Sequence, residues 1–330
     1  MNTFGRLFKA SLFGESHGSC VGVLIDGCPA GLALSADDFL KDLERRKGGK
    51  AGTTARREDD IPNLASGIFK GRTTGAPLLI TFANQEADSQ AYEAIKDTPR
   101  PGHADFVAHH KQGGFNDYRG GGPFSGRLTL ELTAAGVIAK KLMPAVKVEA
   151  RLIEAGGSSD IDGAVQSAVE AQDSVGGLVE CRASGLPVGL GEPFFDSAES
   201  LLSHAVFSIP GIKAIGFGAG FEAAQMRGSG YNDRILSLKG RTQTNNAGGI
   251  NGGITNGNDL VFTVAVRPAA SIALRQKTID LKTGKTRALS VKGRHDVCLA
   301  LRVPVILEAA CAVVLADLML AGQKIPRILR

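Results

Sequence analysis

The 330-residue chain contains no tryptophan and only three tyrosines, and aromatic residues make up 5% of it. No stretch interleaves rings with basic residues, as a base-stacking platform for nucleic acid would. Cysteine is scarce as well. Cys20, Cys28, Cys181, Cys298 and Cys311 are odd in number and include no C-x-x-C pair, so they read as reduced thiols in the cytoplasm and not as a disulfide framework. Long uninterrupted apolar runs are missing. The segment from Met1 to Gly14 carries Arg6 and Lys9 and lacks the core of a signal peptide. The most apolar stretch, Val303 to Gly322, carries Glu308 and Asp317, which suits a buried helix better than a membrane span. No low-complexity linker divides the chain, so residues 1–330 are read as one domain.

What the chain does have is glycine. Its 43 copies, about twice the average usage of roughly 7%, cluster at Gly120 to Gly122 and at Gly248, Gly249, Gly252 and Gly253, where backbone can come close to a ligand. Hydrophobic residues at 43% and charged residues at 22% are globular values. A net charge of +5 suits an anionic small molecule and does not call for nucleic acid.

Apolar runs at 21–25 and 77–82 predict strands. Ser35 with Asp38 resembles a capping box opening a helix with Phe39, Leu40 and Leu43 on one face, which ends at Arg45-Arg46-Lys47. Residues 126–142 and 303–320 predict helices apolar on more than one face, and such helices must be covered by other layers. The strand at 177–181, the turn at Leu186-Pro187 and the helical 198–207 loosely echo residues 22–46, a weak sign of internal duplication.

Several clusters carry chemistry. Gly14-Glu15-Ser16-His17-Gly18 sets an imidazole between glycines, open to a ligand and able to do acid or base work near neutrality; a loop histidine bonded to backbone is the alternative. Arg100-Pro101-Gly102-His103-Ala104-Asp105 offers a second histidine with a cation and a carboxylate near enough to tune it. His109 and His110 match metal spacing with His103 only superficially, and no structural metal is expected. Arg119-Gly120-Gly121-Gly122 followed by Ser125 and Arg127 suits a phosphate, because backbone N–H groups and the helix dipole favour an anion there. Arg45, Arg46, Lys47, Lys50, Arg56 and Arg57 form the densest basic cluster, more than a helix end needs. The amides within Thr244–Ile254 suit a planar polar ligand, and Gly293-Arg294-His295-Asp296 lines up a cation, an imidazole and a carboxylate. Each of these also fits an ordinary polar turn.

Together the phrases GESHG (14–18), RPGHAD (100–105), DYRGGG (117–122), TNNAGGI (244–250) and KGRHD (292–296) resemble the chorismate synthase family in order and spacing across nearly the whole chain. That resemblance implies an α+β fold, a β-α-β sandwich with long central helices between two mainly antiparallel sheets. It implies a homotetramer with one reduced FMN per subunit. The activity implied is elimination of phosphate from 5-enolpyruvylshikimate 3-phosphate without net redox change. By similarity the flavin would meet Pro123, Phe124, Ser125, Pro210, Gly211, Gly252, Arg267, Pro268, Ala269, Ala270, Ser271 and Arg294. The substrate would meet Arg46, Arg127, Arg294 and the two histidines. His17 would protonate the departing phosphate, His103 would stabilise the reduced flavin, and Asp296 would help manage the proton at flavin N5.

The chain departs from the common family pattern at two places. Pro123 and Phe124 stand where many members have an arginine and a serine, so contacts from these positions are backbone or apolar. Lys50-Ala51-Gly52-Thr53-Thr54 replaces an S-R-Y-T-T phrase, and a lysine offers a point charge without the planar fork that suits the phosphates of NADPH. An external reductant or a flavin reductase is therefore expected to reduce the cofactor. A non-catalytic anion binder and a true flavin oxidoreductase share the same loops. Stoichiometry separates them: the lyase releases phosphate without consuming reductant at each turnover.

Overall fold

The structure, a computed structural model, describes residues 2–55, 58–85, 89–291 and 295–329. Two antiparallel sheets form where apolar side chains recur at every second position. The first takes β1 (Thr3–Phe4), β2 (Lys9–Gly14), β3 (Cys20–Asp26), β4 (Asn63–Ser66) and β5 (Leu78–Ala83) in the order β1-β2-β3-β5-β4. Val21, Val23 and Ile25 on β3 and Leu78, Ile80 and Phe82 on β5 all point to one buried face, the period-two pattern of a half-buried sheet. The second takes β6 (Lys147–Ala155), β7 (Gly177–Ser184), β8 (Ile212–Phe217) and β9 (Leu260–Val266) in the order β8-β9-β7-β6. Here Val179, Cys181 and Ala183 on β7 and Leu260, Phe262, Val264 and Val266 on β9 are buried.

Helices fill the space between. In chain order the longer ones are α1 (Asp37–Arg46), α2 (Asp105–Lys111), α3 (Thr129–Leu142), α4 (Ile161–Glu170), α5 (Ala198–Phe207) and α6 (Val303–Ala321). Helices α3 and α6 pack on each other; α3 meets β2 and β3 of the first sheet, and α6 meets β6 and β7 of the second. This is the expected sandwich, and one contiguous core runs through it. The start of α1 differs in detail from a capping box. Asp38 accepts the Ser35 N–H at 2.8 Å, but no side chain caps the helix in return, and its first residue is Asp37.

Helix α6 is long and apolar enough to cross a membrane by length and composition, yet it lies inside the fold, and its two acids explain themselves there. Glu308 accepts from Arg45 at 2.6 and 2.8 Å, from Lys140 at 2.8 Å and from the Ala150 N–H at 3.0 Å. Burial alone would raise its carboxyl, but the Arg45 and Lys140 cations hold it below the usual range. Asp317 gathers the N–H groups of Arg6, Leu7 and Phe8, fixing the chain just before β2. Two lone acids in an apolar helix thus tie both sheets to the core.

The hairpin of β10 (Gln276–Ile279) and β11 (Thr286–Leu289) is fastened to residues 97–99. The Thr278 hydroxyl donates to the Pro99 carbonyl at 2.6 Å, and the Leu281 N–H donates to the Asp97 carbonyl at 2.8 Å. These two bonds steady the segment that leads into His103.

The helix pair at the centre depends on one missing side chain. A Cβ on Gly136 of α3 would lie 2.3 Å from the Ala309 Cβ and 2.4 Å from its Cα on α6. Both helices would have to move apart. Gly136→Ala should therefore destabilise the protein by about 1–3 kcal/mol through overpacking, although alanine improves helix propensity by roughly 1 kcal/mol. Urea unfolding of the variant checks this, and equal or greater stability would show that the crossing tolerates a methyl group.

Candidate active site

At one end of the central helices a cavity of about 230 Å³ opens between the sheets. Helix α1 delivers Arg46 as its last residue, and the turn that leads into α3 delivers Ser125, Gly126 and Arg127. Ser125 holds that turn, since its Oγ accepts the Arg127 N–H at 3.2 Å. Among the described residues five arginines (46, 100, 127, 267 and 302) and Lys47 line the cavity, against the carboxylates of Glu58, Asp60 and Asp296. The surplus is cationic.

Most of that charge is held by short, buried contacts. Asp60 accepts from Arg46 Nη2 at 2.8 Å and from Arg127 Nη1, and all three side chains are at most 4% exposed. Arg127 Nε also donates to Asn84 Oδ1 at 3.0 Å. Burial pulls the Arg46 guanidinium down to about 10, helped by repulsion from Arg302 and Arg127 and opposed by Asp60, so it stays charged at neutral pH. Its Nε and Nη1 are buried and meet no hydrogen-bond acceptor among the described residues. Burial would raise the Asp60 carboxyl, but the two guanidinium groups hold it below its ordinary value. Asp296 accepts the Thr54 N–H at 2.8 Å and Arg302 Nη1 at 3.0 Å, while Arg302 Nε donates to the Arg46 carbonyl at 2.9 Å.

The two histidines sit differently. The His103 Nδ1–H donates to Asp105 at 2.6 Å, because a carboxylate can only accept, and Nε2 is left for another partner. Arg100 donates to the same carboxylate at 2.7 and 2.8 Å and to the Ser271 hydroxyl at 3.1 Å. Burial works against the Asp105 carboxylate, but these hydrogen bonds hold it well below the usual range. His103 lines the cavity. His17 lies one layer back, with Nδ1 2.9 Å from the Ser89 hydroxyl and its ring edge-on to Tyr92. The Gly120 backbone lies against it, since a Cβ there would fall 2.4 Å from the ring.

Of the other residues the sequence singles out, Phe124, Ser125, Pro210, Gly211, Arg267, Ala269, Ala270, Ser271 and Asp296 line this cavity. Pro123 lines a second, mainly apolar cavity behind Ser125 and Pro210. Pro268 turns its carbonyl to Arg267 Nη1, and Gly252 sits exposed in a turn away from the cavity. Arg294, Arg56 and Arg57 lie outside the described residues. Lys50 is exposed, and Arg45 is taken up by Glu308. Arg119 pairs with Asp117, and the Asn245 and Asn246 amides donate to carbonyls of their own loop region. Sequence reasoning missed Asp60 and Arg302. For Arg302 a signal existed: a cation at the start of an apolar helix opposes the helix dipole and needs another reason to be there.

The cavity can accept a planar group against small residues and backbone on the 267–271 side, where Ala269, Ala270 and Gly211 leave room and Phe124 and Leu299 offer apolar surface. The buried guanidinium groups of Arg46 and Arg127 line the same cavity. Fold and site together define a class: an α+β sandwich protein with a cavity lined by a surplus of cations.

The chorismate synthase family profile matches residues 8–320. A chorismate synthase of Chitinophaga pinensis is 59% identical over 331 residues, covering all of both chains. One from Dehalococcoides mccartyi is 46% identical over 361 residues, covering 100% of this chain and 99% of that one, and one from Thermococcus kodakarensis is 43% identical over 340 residues, covering 95% and 96%. A solved structure, "Crystal Structure of Chorismate Synthase", superposes with a TM-score of 0.74 at 23% identity, over 97% of this chain and 93% of that chain, and so shares the fold. The chain belongs to the chorismate synthase family. It is a lyase of the shikimate pathway, which supplies aromatic amino acid biosynthesis.

Beside the site, Glu131 in the first turn of α3 is fully buried. Burial pushes its carboxyl up to about 9, against the pull of Arg127, so it is protonated at neutral pH. Between the ordinary value of 4.5 and about 9 the folded protein keeps a proton that the unfolded chain has lost. Its contribution to stability is therefore complete below 4.5 and falls as pH rises through that window. Glu131→Gln has no such proton, so it should gain stability relative to the parent as pH rises across this range. Urea unfolding at acidic, neutral and alkaline pH checks this; a pH-independent difference would mean that the folded carboxyl is already ionised.

Proposed function

We propose that this cavity binds 5-enolpyruvylshikimate 3-phosphate together with reduced FMN and carries out a 1,4-elimination. Phosphate leaves C3, a hydrogen leaves C6, and the ring gains its second double bond as chorismate forms. The observation that carries the reading is the buried guanidinium wall, in which Arg46 keeps two donors that meet no acceptor among the described residues. Buried donors in that condition cost stability unless a ligand meets them. A phosphate with two carboxylates supplies the acceptors.

Ser125, Pro210, Gly211 and the 267–271 stretch would hold the flavin, with Gly252 and Arg294 assigned to it by family likeness. Bound there, reduced flavin would supply electron density to the substrate ring, with no net redox change. Arg46 and Arg127 neutralise substrate anions in a site shielded from water, where charge stabilisation is strongest. By family likeness His17 would protonate the departing phosphate, which requires the thin Gly120 backbone beside its ring to leave the imidazole a path to the cavity. His103, fixed by Asp105, would stabilise the reduced flavin, and Asp296, fixed by Arg302 and the Thr54 N–H, would help manage the proton that flavin N5 takes up from C6. The same reading carries a homotetramer in the cytoplasm and an external source of reduced flavin, because Lys50 lies outside the cavity wall.

An anaerobic assay with chemically reduced FMN should release phosphate while the flavin stays reduced, and NADPH alone should not bleach oxidised flavin. Consumption of one reductant per turnover would make the protein an oxidoreductase, and bleaching by NADPH would remove the external reductant. His17→Ala and His103→Ala should each lose about 100 to 10,000-fold in turnover, the scale of one positioned proton donor or acceptor. Near-normal turnover in either variant would withdraw that residue's role.

A further inference from the structure

One carboxylate joins the two arginines of the substrate wall, and it comes from a third segment of the chain. Arg46 ends α1, Arg127 leads into α3, and Asp60 lies in the segment before β4. The two oxygens of Asp60 are divided, Oδ2 accepting from Arg46 Nη2 at 2.8 Å and Oδ1 from Arg127 Nη1. Asp60 does this from a strained backbone, with φ at 54° in the left-handed region that non-glycine residues seldom occupy. Such strain persists only where the surroundings enforce it, and it gathers at functional sites. Asp60 side-chain exposure is 1%, so water does not compete for its oxygens.

We infer that Asp60 is a positioning residue that sets the spacing and orientation of the Arg46 and Arg127 guanidinium groups toward the anionic groups of the substrate. The inference rests on the reading that these arginines bind substrate. Without the carboxylate the two cations repel each other, and the free donors of Arg46 turn away from where the substrate presents its charge. A simple counter-ion would behave in the opposite way. Removing its negative charge would leave the wall more positive and would tighten the hold on an anion.

Asp60→Asn tests the distinction, because asparagine tolerates the left-handed conformation as aspartate does and keeps the shape while removing the charge and turning one of the two acceptor oxygens into a donor. KM for 5-enolpyruvylshikimate 3-phosphate should rise about tenfold or more, the scale of one charge-assisted hydrogen bond, while kcat changes far less. The affinity for FMN, titrated by its fluorescence, should stay as in the parent. A KM that is unchanged or lower would make Asp60 a counter-ion and overturn the inference. Asp60→Glu supplies a second measurement should the first variant fail to fold. It keeps the charge but displaces the carboxylate by one methylene, so KM rises if position matters and holds if charge alone does. Arg46→Ala and Arg127→Ala separate the two levels. If neither raises KM, the substrate wall itself is wrongly assigned; if both do while Asp60→Asn does not, the positioning role alone fails.

Discussion

The close crossing of α3 and α6 governs the rest of the molecule. Gly136 meets Ala309 with no space for a methyl group, so the two helices pack backbone to backbone. Both are apolar around nearly their whole circumference, and each must therefore be covered on the side its partner leaves open. The first sheet covers α3 and the second covers α6. Each sheet can do so because its inner face carries alternating Val, Ile, Leu and Phe. The few charges inside this core are matched: Glu308 by Arg45 and Lys140, and Asp317 by three backbone N–H groups. An unmatched ion at either place would cost far more than the pair contributes.

The same arrangement delivers the site. The turn before α3 and the end of α1 bring Arg127 and Arg46 to one place, and the approach to α6 adds Arg302. Three cations crowded this closely would repel, and Asp60 and Asp296 answer them from loops. Arg46 nevertheless keeps donors unmet among the described residues. Glycines at 120 and 121 let two imidazoles stand immediately behind the backbone, since a Cβ at either position would run into His17 or His103. Helix ends and the turns beside them carry the cations, and glycine turns lie against the imidazoles.

Some of this is readable along the chain because its physical cause is local. The inner faces of β3, β5 and β7 follow from alternation, and the burial of α3 and α6 follows from their lack of a polar face. The pairing of His103 with Asp105 is legible too, because two residues of a turn suffice to form it. Other parts depend on distant partners. Nothing near Asp60 shows that it bridges residues 14 positions before it and 67 after it. The basic cluster after α1 looks uniform, yet Arg45 enters a structural ion network, Arg46 enters the cavity and Lys50 stays in solvent. The Asn245 and Asn246 amides look like ligand contacts, but they satisfy carbonyls of neighbouring loops.

The sequence by itself determined the family, through five short phrases in fixed order, and, through the periods of its apolar residues, individual strands and two helices that other layers must cover; the order of those layers came with the family resemblance. Those signals survive in one dimension because backbone geometry repeats every two or 3.6 residues. Only the tertiary structure decided which of many arginines face the cavity, which acid holds them, and that Pro123 faces a different cavity from its neighbours Phe124 and Ser125. Charge pairing and side-chain direction depend on what the other elements bring alongside. That is settled when the helices cross and the sheets close over them.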